Sequence, residues 1–252
     1  MKKPDSSLPL VLGTRGSALA LAQAAMTRIA LEEALGLAVE QRIIKTVGDQ
    51  RQDLKLSEFS TPAPGQEAIL DKGIFTKELE SALREGEIDA AVHSLKDVPT
   101  ELEADFEIAG VLPRAAVEDV LLSRCYDGIE ELPRGARVAT SSVRRRRLLE
   151  HLRPDLEVVE IRGNVGTRLR KLVEQEELDG ILLARAGLER LGHAGLEDGV
   201  LEAQGVRLRA RILGCEEFLP AAGQGIVGIE IRVGDERVRA AMAAEGLDAL
   251  VV

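Results

Sequence analysis

The stretch from residue 73 to residue 99, GIFTKELESALREGEIDAAVHSLKDVP, constrains the fold more than any other part of the chain. Apolar residues recur at helical spacing between Leu79 and Leu83, and Gly86 ends the predicted helix. The apolar run 88–92 is typical of a strand buried on both faces of a mostly parallel sheet. Four polar residues follow directly: His93, Ser94, Lys96 and Asp97. Because ligands collect beyond the carboxyl ends of such strands, this cluster is either a binding site or an ordinary solvated turn.

The amino-terminal part of the chain has the same order of strand, polar turn and helix. An apolar run at 10–12 leads into Gly-Thr-Arg-Gly-Ser and then into an Ala- and Leu-rich helix that reaches about Leu35. Ser17 is a predicted helix cap, and free backbone N–H groups at a helix start attract anions. Arg15 would lie at the mouth of this anion site.

The second half repeats this order. Strands are predicted at 137–140, 157–161 and 181–184, and Ser141 or Ser142 caps the helix that follows the first of them. A long polar segment at 47–72 has the length of a lid or a disordered loop. Repeated strand–helix order of this kind predicts an α/β protein.

Composition excludes several classes of function. The chain has 252 residues, a net charge of −10 and only 2% aromatic residues. The negative charge argues against general binding to nucleic acid or to anionic membranes, and the scarcity of aromatic rings argues against base stacking. No apolar run is long enough to span a bilayer or to form a signal peptide. Cys125, Cys215 and three scattered histidines give no metal-binding pattern, so we expect a cytoplasmic protein with free thiols and no metal.

One window of the sequence is basic. Residues 140–170 contain eight arginines and four acidic residues, an excess of four positive charges in an acidic chain. Arginines at strand ends and glycine turns suit the capture of carboxylates or phosphates, and a solvated helix face is the plainer interpretation. Since four consecutive arginines cannot all reach one ligand, we expect about half to face water. The stronger candidates are Arg144, Arg145, Arg162 and Arg168.

Seven stretches in this order resemble the porphobilinogen deaminase (hydroxymethylbilane synthase) family: GTRGSALALAQA, DKGIFTKELE, AVHSLKDVPT, TSSVRRRRLL, RGNVGTRL, LARAGLERLG and LPAAGQGIVGIE. The resemblance implies two lobes of the type II periplasmic-binding-protein kind with a cleft between them. It places domain 1, the lobe with the catalytic aspartate, at 1–114 plus 222–252, and domain 2, the arginine-rich lobe, at 115–221. The family's third α+β domain is absent from this sequence.

The resemblance also implies an activity, that of a transferase in tetrapyrrole (heme) biosynthesis. The family's enzyme joins four porphobilinogen molecules head to tail, with loss of ammonia, on a protein-bound dipyrromethane. By resemblance Asp97 is the catalytic residue. The substrate- and cofactor-binding residues would be Arg15, Ser17, Lys72, Ser94, Lys96, Thr140, Ser141, Ser142, Arg144, Arg145, Arg162, Gly163, Asn164, Arg168, Arg190 and Gln224.

The sequence departs from the family in two places. The Gly-Gly-Cys loop whose cysteine carries the dipyrromethane is not found, and neither Cys125 nor Cys215 stands in that context. In the predicted lid, Ala68 stands where the family has an additional lysine. Two functions therefore stay open: an enzyme, with a separate chain as one source of the third domain, or a non-catalytic clamp for linear pyrroles or other polycarboxylates.

Overall fold

The computed structural model describes residues 9–35, 38–46 and 76–244. The chain divides into two compact units: unit 1 is Met1–Arg114 with Ile226–Val252, and unit 2 is Ala115–Gly225. Residues 222–225, which the sequence assigned to the first domain, belong here to unit 2. Two hydrogen bonds attach these residues to the start of unit 2: the Gln224 side chain donates to the carbonyl of Val117, and the carbonyl of Gly225 accepts from the N–H of Ala115. The segment 47–72, with Lys72 and Ala68, lies outside the described residues.

The described part of the chain contains strands and helices in alternation. The strands are β1 (Leu10–Thr14), β2 (Val39–Ile43), β3 (Ala90–Ser94), β4 (Phe106–Val111), β5 (Asp119–Ser123), β6 (Arg137–Ala139), β7 (Glu157–Val159), β8 (Gly180–Ala184), β9 (Val200–Ala203), β10 (Val206–Leu213) and β11 (Val227–Arg232). The helices are α1 (Ala18–Leu35), α2 (Lys77–Arg84), α3 (Val143–Leu152), α4 (Val165–Glu174), α5 (Arg185–Arg190) and α6 (Glu236–Ala244).

Unit 1 is built on one sheet with the strand order β2-β1-β3-β11-β4. Strands β2, β1 and β3 are parallel, whereas β11 is antiparallel to both of its neighbours. The centre of β3 is buried, as its unbroken apolar run predicts. The core of this unit joins β1, β3 and β11 to α1 and α6, and α2 packs through Leu79 and Leu83. Gly86 ends α2 in a left-handed conformation (φ 74°), which favours glycine.

Unit 2 is built on a second sheet with the order β7-β6-β8-β5-β10-β9. Strands β7, β6 and β8 are parallel, and β5, β10 and β9 extend the sheet in antiparallel pairs. The expectation of a mostly parallel sheet therefore holds for only half of this one. Apolar clusters cover both faces of the sheet, because the central residues of β5 and β8 are apolar and buried.

Candidate active site

In unit 1 the predicted site residues meet at one edge of the sheet. Because β1 and β3 are parallel, Arg15 and Ser17 after β1 lie at the same edge as Lys96 and Asp97 after β3. Ser17 is the predicted helix cap: its Oγ accepts a hydrogen bond from the backbone N–H of Ala20 at 3.2 Å. The cap satisfies one of the free N–H groups of α1.

Asp97 ends a single 3₁₀ turn, Leu95–Asp97, that follows β3. The backbone N–H of Leu95 donates to the carbonyl of Ile226 at 3.0 Å, which fixes the start of the turn to the residue before β11. The side chain of Leu95 lies over Gly228, where a Cβ would be 2.9 Å from its Cδ1. Asp97 itself is exposed, and among the described residues its carboxylate has no hydrogen bond or ion pair. The fold thus presents a carboxylate to solvent at the carboxyl edge of the sheet.

Ser94 has a partner that the sequence did not indicate. Its Oγ and the side-chain amide of Gln23 on α1 form hydrogen bonds of 2.8 Å and 3.2 Å. Gln23 is buried on a mostly apolar face of this helix, where Thr27 is the other buried polar residue among those described. A glutamine among the apolar residues of an Ala-rich helix was the available signal, because buried polar groups are nearly always hydrogen-bonded. Gln23 thus holds the residue that precedes the Asp97 turn.

A buried acidic group lies elsewhere in unit 1. His93 Nε2 on β3 lies 2.9 Å from Glu230 Oε2 on β11, and both side chains are almost fully buried. Glu80 of α2 is also buried. Burial raises the pKa of Glu80, and the negative charges of Glu230 and Glu103 raise it further, while His93 opposes them. His93 is therefore a core residue that connects two strands, not part of the exposed polar cluster.

In unit 2 the predicted residues also gather at the carboxyl edge of the parallel strands. Thr140, Ser141 and Ser142 follow β6, residues 162–164 follow β7, and Arg190 ends the helix after β8. The antiparallel strand β5 begins at this same edge, since Asp119 lies opposite Ala184. One sheet edge therefore collects side chains from loops that are far apart in sequence.

Of the two serines proposed as a cap, Ser142 caps α3 by accepting a hydrogen bond from the N–H of Arg145 at 3.4 Å. The Ser141 hydroxyl donates instead to the carbonyl of Ile161, and the Thr140 hydroxyl accepts from the N–H of Ser142 at 3.2 Å. These bonds fix the turn between β6 and α3. Arg144 and Arg145 consequently lie in the first turn of the helix.

Arg144 and Arg145 share one buried partner, Asp119. Arg144 Nη2 donates to Asp119 Oδ2 at 2.6 Å, and Arg145 Nη2 donates to Asp119 Oδ1 at 2.7 Å. Asp119 is fully buried and Arg145 nearly so. Burial raises the pKa of Asp119, but the charge and hydrogen bonds of Arg145 and Arg144 outweigh that effect and bring the pKa below its ordinary value. The carboxylate therefore belongs to a desolvated ion cluster.

Gln224 joins the same cluster. Its Nε2 donates to Asp119 Oδ1 at 2.9 Å and to the carbonyl of Val117 at 2.7 Å. The residue is 1% exposed, so the amide that the resemblance assigned to ligand binding is buried and points at Asp119. Sequence reasoning missed Asp119, although an acidic residue directly before the apolar run 120–122 was a visible signal.

The glycine turn after β7 forms as predicted and starts α4. Gly163 has φ 110°, and a Cβ there would be 2.5 Å from Thr167 Cγ2, so the close approach requires glycine. Asn164 caps the helix by accepting a hydrogen bond from the N–H of Thr167 at 2.9 Å. Arg168 Nε donates to the carbonyl of Gly163 at 2.8 Å. Arg162 Nε lies 2.8 Å from Glu160 Oε1.

Arg190 is directed to the last residue of unit 2. Its Nη2 donates to the carbonyl of Gly225 at 2.7 Å, and burial lowers the pKa of its guanidinium. Several buried guanidinium nitrogens at this sheet edge have neither a hydrogen-bond acceptor nor an ion-pair partner among the described residues: Arg144 Nε, Arg145 Nε, Arg162 Nη2 and Arg190 Nε. Buried unpaired donors are costly, so a ligand with several carboxylates would supply the missing acceptors.

The rest of the arginine window has other roles. Arg146 donates to the carbonyl of Val158 at 2.6 Å, and Arg147 is exposed beside Glu150. Arg153 pairs with Asp155 through two hydrogen bonds and lowers the pKa of Asp155 to about 2. A cavity of about 290 Å³ lies beside Arg153 and Phe218, and none of the predicted site residues lines it. Within the described ranges no cluster of metal-ligating side chains and no membrane-spanning helix is found.

A sequence profile described as "Porphobilinogen deaminase, dipyromethane cofactor binding domain" matches residues 10–240. The chain is 47% identical over 233 residues to the porphobilinogen deaminase of Rubrobacter xylanophilus, an alignment that covers 91% of this chain and 67% of that protein. It is 45% identical over 245 residues to the protein of the same name from Nitrobacter hamburgensis, with 96% and 70% covered.

The solved structures that resemble the chain include two substrate-binding proteins. A methionine binding protein has a TM-score of 0.52 at 14% identity, with 96% of this chain and 91% of that chain covered. An ABC transporter substrate-binding protein from Coxiella burnetii has a TM-score of 0.51 at 14% identity, with 94% and 92% covered. At this identity the likeness shows the fold alone, an α/β fold of the type II periplasmic-binding-protein class. Together with the profile match, the sequence relatives show that the chain belongs to the porphobilinogen deaminase family.

Proposed function

We propose that this chain carries out the porphobilinogen deaminase reaction, the condensation of porphobilinogen units with loss of ammonia, as a transferase of tetrapyrrole biosynthesis. The observation that carries the proposal is the exposed Asp97 carboxylate at the carboxyl edge of the unit 1 sheet, within the AVHSLKDVPT motif. The family membership supports the same reaction.

The role of Asp97 follows from the charge that the reaction develops. Loss of ammonia from an aminomethylpyrrole leaves an electron-poor azafulvene, and positive charge develops on the ring as the carbon–nitrogen bond breaks. A carboxylate at the pyrrole N–H accepts its hydrogen bond and stabilises that charge. Because Asp97 has no internal partner among the described residues, its oxygens are available to a substrate.

The arginine-rich edge of unit 2 suits the other property of the substrate, its acetate and propionate side chains. Each added ring brings about two carboxylates, and arginine binds carboxylates through charge-assisted hydrogen bonds. We assign carboxylate binding in unit 1 to Arg15, Ser17 and Lys96. In unit 2 we assign it to Arg144, Arg162, Arg168 and Arg190, with the turns around Ser142 and Asn164 holding them in place. Lys72, outside the described residues, stays a predicted contact.

A dipyrromethane fits this edge, because the unpaired guanidinium nitrogens of Arg162 and Arg190 match a ligand with several carboxylates. When bound, the dipyrromethane supplies the pyrrole to which the first substrate is joined. Cys125 follows the last residue of β5 and therefore lies at the far edge of the sheet from Asp119, which is the first residue of that strand. Cys215 lies at the same edge as Asp119, because it follows β10, whose last residue, Leu213, pairs with Asp119.

The test is to incubate the protein with porphobilinogen and to measure ammonia release and uroporphyrin formation. We expect the wild type to be active, Asp97→Ala to lose almost all activity, and Asp127→Ala, an exposed aspartate after β5, to match the wild type. Intact-mass measurement reports whether a dipyrromethane adduct is present. If the wild type binds porphobilinogen but releases no ammonia even with the adduct present, the chain is a binding clamp and the enzymatic proposal fails.

The proposal includes a cytoplasmic location. It also includes a small-molecule partner, the pyrrole substrate, and neither nucleic acid nor a membrane as a binding partner. Both cysteines are free thiols, and Cys125 is exposed, which fits a reducing compartment. A separate chain that supplies a third domain stays part of the proposal. Gel filtration with candidate partner chains tests it.

A further inference from the structure

The carboxylate of Asp119 is the centre of the unit 2 edge. It is fully buried and accepts three hydrogen bonds, from Arg144, Arg145 and Gln224, at 2.6, 2.7 and 2.9 Å. These donors come from the start of α3 and from the end of the unit, which are about 80 residues apart in the sequence. One side chain therefore fixes two separate segments with respect to β5.

The two arginines are not equivalent. Both Nη groups of each arginine bond internally, so the difference between them lies in their exposure. In Arg145, Nη1 donates to the carbonyl of Leu182 at 2.9 Å and Nη2 donates to Asp119. The residue is 5% exposed. The side chain of Arg144 is 25% exposed while it bridges Asp119 and the carbonyl of Leu219. Arg145 is thus a buried structural residue, and Arg144 is the arginine of the pair whose side chain a ligand can contact.

We propose that Asp119 is a positioning residue for carboxylate binding at this edge. It holds Arg144 in the orientation in which its exposed face meets a substrate carboxylate, and it fixes Gln224 behind it. The inference rests on the proposed function, because that function supplies the polycarboxylate ligand. It adds a residue that does not itself contact the substrate.

Two roles of Asp119 predict opposite effects of removing its charge. If Asp119 only neutralised the arginines, Asp119→Asn would leave more positive charge at the edge and would strengthen the binding of an anion. If it positions them, the variant weakens binding in spite of the added positive charge, because Arg144 loses its fixed orientation. The sign of the change in affinity therefore separates the two roles.

The experiment measures porphobilinogen binding by calorimetry for the wild type, Asp119→Asn and Asp155→Asn. Asp155 is a matched control: it pairs with Arg153 through two hydrogen bonds at the other end of α3, and its substitution changes the net charge equally. We expect Asp119→Asn to weaken binding about tenfold or more, and Asp155→Asn to bind like the wild type. Unchanged or tighter binding by a folded Asp119→Asn would overturn the proposal.

A second measurement does not depend on the folding of a variant. In the wild type, the guanidinium ¹⁵N spectrum should show restricted rotation for Arg144 and Arg145, assigned with Arg144→Lys and Arg145→Lys, and free rotation for the exposed Arg147. Averaged Nη signals for Arg144 would contradict its fixed orientation and reject the inference. If the wild type binds no porphobilinogen, the proposed function fails, and these spectra alone decide whether Asp119 orients the arginines.

Discussion

Gly225 and Ala115 meet closely where the first and last residues of unit 2 come together. The N–H of Ala115 donates to the carbonyl of Gly225 at 3.0 Å. A Cβ on Gly225 would lie well inside van der Waals distance of the carbonyl oxygen of Ala115 and 3.1 Å from that of Ala116. Gly225 also has φ 86°, so both the space and the backbone conformation require glycine.

We therefore expect Gly225→Ala to lower the free energy of unfolding by about 3 kcal/mol, from left-handed backbone strain plus steric overlap. Gly205→Ala is the matched control, since Gly205 has φ 73° with nothing near its Cβ position. It should cost only about 1 kcal/mol. Urea unfolding of both variants measures the difference, and equal losses would show that the overlap relaxes.

Arg145→Ala should destabilise the chain strongly. It removes a nearly buried ion-pair partner and leaves the buried negative charge of Asp119 with one arginine instead of two. We expect a loss of about 3 kcal/mol in the free energy of unfolding. Arg147→Ala, two positions along the same helix with a side chain that is 75% exposed, should change it by less than about 0.5 kcal/mol. Urea unfolding at neutral pH tests both variants. Similar values would mean that the Asp119 cluster contributes little to stability.

The stability of the protein should depend on pH because of the raised pKa of the buried Glu80 carboxyl. Its pKa in the folded state is raised by burial, so the folded protein binds this proton more tightly than the unfolded chain. Stability from this group is lost as pH rises from the ordinary pKa of 4.5 through the folded value. Glu80→Gln should therefore be more stable than the wild type at pH 7 to 8, with the advantage shrinking below about pH 4.5. Melting temperatures across this range measure the difference, and exposed Glu85→Gln should show no such trend.

Arg124 provides a fourth prediction. Its guanidinium donates to the carbonyls of Leu172, Gln175, Glu176 and Leu178, at and beyond the end of α4. Arg124→Ala removes these four hydrogen bonds. Of the four acceptors, only the Gln175 carbonyl keeps a backbone partner among the described residues, the N–H of Leu178, so the substitution should cost about 2 kcal/mol of stability. Arg124→Lys should recover only part of it, because an ammonium group cannot span four carbonyls. Full recovery by lysine, measured by urea unfolding, would contradict the requirement for the planar group.

Local patterns predicted the parts of the fold that depend on neighbouring residues. The buried run before His93, the caps at Ser17 and Ser142 and the turn at Gly163 were all readable, because each depends on a few adjacent residues. Strands β4, β9 and β10 and helix α5 were not predicted. The alternation of arginine and apolar residues in 206–213 was an available strand signal that the prediction did not include.

The sequence by itself determined the α/β class, the family and the presence of Asp97 in a turn after a buried strand. Only the tertiary structure decided which arginine meets which acid. Asp119 lies 25 residues from Arg144 and 105 from Gln224, and local periodicity does not report contacts across such separations. It also decided that β11 is antiparallel and that Gln224 is buried, because strand direction and burial depend on the whole sheet. The packing of the whole fold likewise leaves Asp97 exposed and Arg145 buried.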